Sequence, residues 1–259
     1  MSLRSGLGAV RRKLMLSCHV RSRMLSTDAP IVSFTFDDFP QSAWLAGGRI
    51  LEDFGVRGTY YAAAGLMRTT NRLGPQFVPD DLHALLERGH DLGSHTYNHV
   101  SARSLSAAAF LEDLEKGRAA LAEITGVHTA NFSYPFGNVT LATKKAAGRD
   151  LASARGIYDG INGPEVDLAL LRGNRLYGDS SSFDPARRMI EENVRQNGWL
   201  IFYTHDVQAN PSQYGCTESV LKKVVSAAVG SGSRVCTVEQ VLKELGVQAP
   251  KDNSRRVPA

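Results

Sequence analysis

The stretch Ile31-Val32-Ser33-Phe34-Thr35-Phe36-Asp37-Asp38-Phe39-Pro40 decides how this chain is read. Its apolar first half reads as a buried strand, and the strand ends on two adjacent carboxylates. Taking two carboxylates out of water is costly unless a cation or a proton-transfer role holds them there. Two later segments supply what such a pair could meet. Gly93-Ser94-His95-Thr96-Tyr97-Asn98-His99 places imidazoles at i and i+4, which one helical turn would bring onto one face within reach of a single metal. A carboxylate from the first stretch would complete a three-ligand site. Far downstream, the apolar run Trp199-Leu200-Ile201-Phe202-Tyr203 ends in Thr204-His205-Asp206, a third histidine where a general acid or base could sit.

Between these landmarks, apolar runs alternate with helix-period segments, which argues for βα units and a mainly parallel sheet. Strands are expected at 31–36, 58–62, 90–94, 129–133, 151–154, 170–176 and 199–203, with a further short apolar segment at 234–236. Helices are expected over 43–54, from Pro79 to Gly89, from Ser104 or Ser106 to Gly126, and from Asp184-Pro185 to Gln196. Another carries Val220, Leu221, Val224 and Val225, and a last short one ends at Leu245. The expected fold class is α/β: a distorted (β/α) barrel of about seven to eight mainly parallel strands. The barrel domain spans 30–246, behind a basic polar leader at 1–29 and ahead of a flexible tail at 247–259. Asp37, Asp38, His95, Tyr134 and His205 all fall just past the C-terminal ends of expected strands, the face where barrel enzymes assemble their sites.

A chain of 259 residues that is 42% hydrophobic can bury one large core. Its formal charge of +4 traces to the two ends: Arg4, Arg11, Arg12, Lys13, Arg21 and Arg23 precede the first acid, and Lys251, Arg255 and Arg256 close the chain. Charge so placed reads as tails, so no nucleic-acid partner is expected, and weak contact with a membrane surface through the basic N-terminus is the one association left open. No stretch approaches the roughly 18 apolar residues of a membrane span. Cys18, Cys216 and Cys236 lack metal-ligand spacing and leave at least one thiol unpaired, which favours a reducing compartment. Leu14-Met15-Leu16-Ser17-Cys18 is too short for a secretory core, so the expected location is cytoplasmic. His19, His83, His90 and His128 lie outside every motif and read as structural or exposed.

The segments Thr35-Phe36-Asp37-Asp38, His95-Thr96-Tyr97-Asn98-His99, Tyr134-Pro135-Phe136-Gly137 and Tyr203-Thr204-His205 resemble the successive motifs of the polysaccharide deacetylase family. That family is also called the NodB-homology domain or carbohydrate esterase family 4, and the resemblance runs over about residues 31–245. It implies that Asp38, His95 and His99 bind a divalent ion, that Asp37 is the general base and that His205 is the general acid. Adjacency alone does not say which aspartate does which job. It also implies that Tyr134, Pro135 and Phe136 line the site, with the N–H of the residue before the proline facing the oxyanion. Zn²⁺ is the expected ion, and Co²⁺, Ni²⁺ or Mn²⁺ fits the same ligands. The implied reaction removes an acetyl group from an N-acetylated amino sugar in a carbohydrate or glycoconjugate.

Two departures stand out. The family commonly has an arginine two residues before the proline, paired with the base, and here that position is Ser133. Arg172 and Arg175 are the nearest substitutes in the chain, and Arg175 is expected to tune the base. Around Asn174-Arg175-Leu176-Tyr177-Gly178-Asp179 the family's fourth motif is only loosely matched. Competing readings are hydrolysis of another amide, a cyclic imide or an O-acetyl ester, and a non-catalytic carbohydrate-binding relative. A 2-His-1-carboxylate iron oxygenase uses the same ligand types, but here the aspartate lies far upstream of both histidines, and an additional acid and histidine accompany them.

Overall fold

The computed structural model describes residues 13–247. Its strands are β1 (Ser22–Met24), β2 (Ile31–Asp38), β3 (Thr59–Ala62), β4 (Thr70–Asn71), β5 (Gly74–Pro75) and β6 (Asp91–Ser94). Then come β7 (Asn131–Ser133), β8 (Ser153–Arg155), β9 (Glu165–Asp167), β10 (Asn174–Arg175), β11 (Trp199–Thr204) and β12 (Arg234–Val235). The main sheet has eight strands in the order β10-β11-β2-β3-β6-β7-β8, with β12 set beside β2. Every pairing in it is parallel. A parallel bridge between Arg155 and Leu171 draws the outer edge of β8 toward the stretch leading into β10, so the sheet curls into the expected distorted barrel.

All eight residues of β2 are buried, because helices cover one face and the bore lies behind the other. Val32, Phe34 and Phe36 join the cluster formed with Leu221, Val224 and Val225 of the helix Glu218–Gly230. The alternate residues meet polar partners. The Trp199 indole N–H donates to Ser33 Oγ at 2.9 Å, and Thr35 Oγ1 donates to the Phe202 carbonyl at 2.8 Å. Asp91 Oδ2, deep in the barrel, accepts from Thr59 Oγ1 at 3.0 Å, Asn131 Nδ2 at 3.2 Å and the Glu239 backbone N–H at 3.1 Å.

The short strands β1, β4, β5 and β9 had no counterpart among the expected elements, and two further elements differ from expectation for a physical reason. The sixth strand shrinks to Asn174–Arg175 because asparagine amides take over the backbone groups a ladder would use: Arg172 N–H donates to Asn162 Oδ1 at 2.8 Å and Gly160 N–H to Asn174 Oδ1 at 2.8 Å. The helix Leu141–Asp150 had no counterpart among the expected elements. It is capped by Thr140, whose side chain accepts from Thr143 N–H, and its buried face is made of small residues such as Ala146 and Ala147, which give no bulky apolar stripe to read.

Within the basic leader, the described residues lie against the barrel. β1 pairs antiparallel with β9. The fully buried Lys144 ammonium donates to the carbonyls of Met15 and Cys18, the latter at 2.7 Å, and pairs with Asp167 at 2.7 Å. Arg4, Arg11, Arg12, Lys251, Arg255 and Arg256 lie outside the described residues. Among the described residues no helix is long and apolar enough to cross a membrane.

Candidate active site

Sheet register assembles the site. Asp37 and Asp38 stand beside Tyr61 and Ala62 of β3, Ser94 stands beside Ala62, and Ser133 of β7 stands beside Arg155 of β8. The chain leaves β2 with Asp38 and Phe39 in the left-handed region (φ 63° and 64°), which turns the Asp38 carboxylate across the strand ends. No helix carries His95 and His99. Thr96 (φ 63°) and His99 (φ 52°) fold the segment into an irregular turn, which achieves by left-handed backbone what the i, i+4 spacing suggested a helix would do.

The helix Ala107–Thr125 holds that turn. Asp113 accepts the backbone N–H groups of Tyr97 (3.1 Å) and Asn98 (3.0 Å) and also the Asn98 side-chain amide. Gly117 of the same helix lies so close that a Cβ there would come within 2.6 Å of the Thr96 carbonyl carbon, so only glycine fits.

The result is compact. Asp38 Oδ1 lies 3.3 Å from His95 Nε2 and 3.0 Å from His99 Nε2, and one ligand atom from each of the three residues lies within 4.8 Å of the others. The His95 Nδ1 is 2.7 Å from the Ser133 carbonyl, which can only accept, so Nδ1 carries the proton and Nε2 presents a lone pair. Asp38 Oδ1 is buried without a hydrogen-bond partner. A carboxylate oxygen facing an imidazole lone pair is repulsive unless a cation lies between them, so the donor set fits a divalent ion. Burial pushes the Asp38 carboxyl up, and the His95 and His99 imidazoles, when protonated, bring it well below the usual carboxylate range, the direction in which a bound cation would also act.

Asp37 is at least as buried but faces a different partner. Arg155, with no exposed surface, donates to Asp37 Oδ1 and to Ser133 Oγ at 2.7 Å, and its guanidinium lies 5.3 Å over the Tyr61 ring and 4.9 Å over the Tyr203 ring. Burial favours the neutral acid, yet the Arg155 charge, helped by His95 and His205, holds the Asp37 carboxyl below its ordinary value. Arg175, expected in this role, is exposed on β10, and the cation beside Asp37 is Arg155. Small Ser133 leaves the room that the cross-strand arginine fills. The sequence signal was a charged residue directly after the buried run 151–154.

His205 follows β11. Its Nδ1 and its backbone N–H both lie 3.2 Å from the Tyr214 carbonyl, which fixes the proton of the neutral ring on Nδ1 and leaves Nε2 for other partners. Burial lowers its pKa, and the charges of Asp38 and Asp37 offset part of that shift. Asp206 is buried as well and ties the following loop down through Ser212 and Gln208.

The turn after β7 corrects another expectation. The Tyr134 N–H donates to the Arg155 carbonyl at 2.9 Å as part of the sheet, and its ring packs against Phe110 and Phe132, so Tyr134 has no donor left for an oxyanion. Pro135 is buried in the turn. Phe136, in left-handed backbone (φ 57°), sets its ring 4.5 Å from that of His99 and is the residue of this turn that borders the site.

A parallel barrel that gathers two carboxylates and three imidazoles at its C-terminal strand ends defines a deacetylase-type barrel. Residues 25–151 match the sequence model described as polysaccharide deacetylase, in agreement with the resemblance of the chain's motifs. Among solved structures, the chain is similar to the Xyl-CE4 domain of a multidomain xylanase from the hindgut metagenome of Trinervitermes trinervoides, at 19% identity and TM-score 0.58, covering 86% of this chain and 94% of the other. A family 4 acetyl xylan esterase from Clostridium thermocellum, in complex with a cobalt ion, matches at 17% identity and TM-score 0.57 over 84% and 93% of the two chains. Bacillus subtilis PdaA, a family 4 carbohydrate esterase, matches at 12% identity and TM-score 0.56 over 90% and 89%. At these identities the likeness shows the fold. No curated protein sequence matches the chain.

Proposed function

We propose that this protein is a metal-dependent hydrolase that removes the acetyl group from an N-acetylated amino sugar within a carbohydrate or glycoconjugate. The observation that carries the reading is the buried, unpartnered Asp38 Oδ1 facing the imidazoles of His95 and His99 beside a second, arginine-paired carboxylate. Asp38, His95 and His99 would hold the divalent ion, which when bound makes a water more acidic and polarises the acyl carbonyl. Zn²⁺ suits these ligands, and the cobalt complex of the Clostridium thermocellum esterase supports a site open to other ions.

Asp37 receives the proton of the attacking water. It is ionised because Arg155 holds it so, and Arg155 also fixes its orientation through Ser133. His205, steered by the Tyr214 carbonyl, hands a proton from Nε2 to the departing amine, and its lowered proton affinity makes the imidazolium a stronger acid. Phe136 closes the His99 side of the site.

Metal content and acetate release measured on one preparation test the proposal. Full activity after complete metal removal would overturn it. Hydrolysis of an O-acetyl ester is the second reading, since the catalytic set addresses the carbonyl and the Clostridium thermocellum relative is an acetyl xylan esterase. Parallel assays on N-acetyl and O-acetyl sugars separate the two.

A further inference from the structure

We propose that the substrate carries an anionic group on a sugar next to the acetylated one, and that Arg72 receives it. This inference rests on the deacetylase reading and adds a substrate class to it.

Arg72 sits at the tip of the β4–β5 hairpin, which is anchored by buried Leu73 and by Asn71, whose Oδ1 accepts from the Leu73 N–H at 2.8 Å and the Gln76 amide at 3.2 Å. The Arg72 side chain is exposed, but it does not hang free: its guanidinium lies 4.6 Å over the Tyr214 ring. Tyr214 is the residue whose carbonyl orients His205, and its ring is 5.6 Å from the His205 ring and 6.1 Å from that of Tyr177. Arg72 is therefore no farther from the proposed acid than the 4.6 Å and 5.6 Å contacts laid end to end.

Among the described residues some exposed arginines, such as Arg88, Arg149 and Arg234, meet a carboxylate, and others, such as Arg49, Arg68 and Arg103, do not; what sets Arg72 apart is that it lies over a ring beside His205. Among the described residues Arg72 meets no carboxylate. Stacking on a ring restrains a guanidinium without using its N–H donors, so the planar fork stays open for a bidentate oxyanion. A neutral glycan offers that fork only single, uncharged hydroxyl acceptors, whereas a carboxylate or a phosphate ester on the adjoining sugar meets two N–H groups at once and balances the charge.

The test compares three oligomers with the wild-type protein and Arg72→Gln at low ionic strength: a neutral N-acetylated amino sugar, the same sugar alternating with a uronic acid, and a phosphate-substituted form. The wild type is expected to show the higher kcat/KM on an anionic oligomer, and the better of the two names the anion. In Arg72→Gln, KM for that oligomer should rise roughly tenfold, the scale of one charge-assisted contact, with kcat nearly held and a smaller change on the neutral oligomer. Arg72→Lys, which keeps the charge but loses the fork, should fall between. Equal shifts on neutral and anionic oligomers, or none on either, would overturn the inference and leave deacetylation standing. If no oligomer releases acetate, calorimetric binding of the anionic ones decides: weaker binding by Arg72→Gln keeps the Arg72 site while the deacetylase reading falls, and unchanged binding removes the site as well.

Discussion

Two aspartates are buried in the same bore and behave oppositely. Asp37, at the C-terminal end of the barrel, has a guanidinium against it and stays ionised; Asp91, at the other end, has only neutral donors from Thr59, Asn131 and the Glu239 backbone, and its carboxyl is pushed up to about 7 by burial and by the Glu239 charge. Both have lost their water. What separates them is a cation, so the barrel builds its chemical end by importing charge and its structural end by hydrogen bonding alone.

The comparison breaks most severely if the ion-binding group is removed. His95→Ala and His99→Ala should each lose bound metal and lower kcat/KM by roughly a thousandfold, several kcal/mol of charge stabilisation, as checked by elemental analysis and acetate release. Full metal occupancy in either variant would show that these imidazoles are not ligands. Next comes Arg155→Met, which makes Asp37 resemble Asp91. With burial unopposed its carboxyl should rise, moving the acid limb of the kcat/KM profile up by about one to three pH units and cutting the rate at neutral pH by about ten- to a hundredfold. An unmoved acid limb would mean that Arg155 does not hold the base.

Asp91→Asn probes the other end. A carboxyl whose folded pKa is raised stabilises the fold below the unfolded value near 3.8, and that contribution is lost as pH rises to about 7. The neutral asparagine should therefore match the wild type near pH 4 and exceed it by about 2–4 kcal/mol at pH 8 in urea unfolding. A difference that does not change with pH would contradict the assignment. Smallest of all, Ser133→Ala removes one of the contacts that seat Arg155, and should lower kcat/KM by only about threefold to tenfold.

The candidate site residues were legible in the sequence because they sit at the ends of segments with strong local signals: the buried run before Asp37 and Asp38, the paired histidines, the long strand before His205. The barrel was legible for the same reason, since alternating apolar runs and helical stripes persist along the chain. What remained hidden was set by contacts across the sheet. Arg155 reaches Asp37 only because β7 and β8 are neighbours in register, and Asp113 grips the His95–His99 turn from a helix whose spacing gives no hint of it. Tyr134 was misread because its place beside the proline says nothing about whether its N–H belongs to the sheet. The helix 141–150 was missed because alanine packs well and signals weakly.

The left-handed residues around the site have a consequence for how the protein can change. Asp38, Phe39, Thr96, His99 and Phe136 each hold a conformation that costs a side-chain-bearing residue about 1 kcal/mol or more, and all five lie in the segments that carry or border the site. Phe39 and Thr96 are buried, so glycine there would empty the core; at exposed Phe136 it would relax the local backbone, and selection for heat resistance alone would be drawn to that exchange. The same exchange would remove the ring that borders His99. Variants gathered by thermal screening should therefore accumulate in the helices and the lower barrel, and Phe136→Gly, if it arises, should melt higher while turning over more slowly.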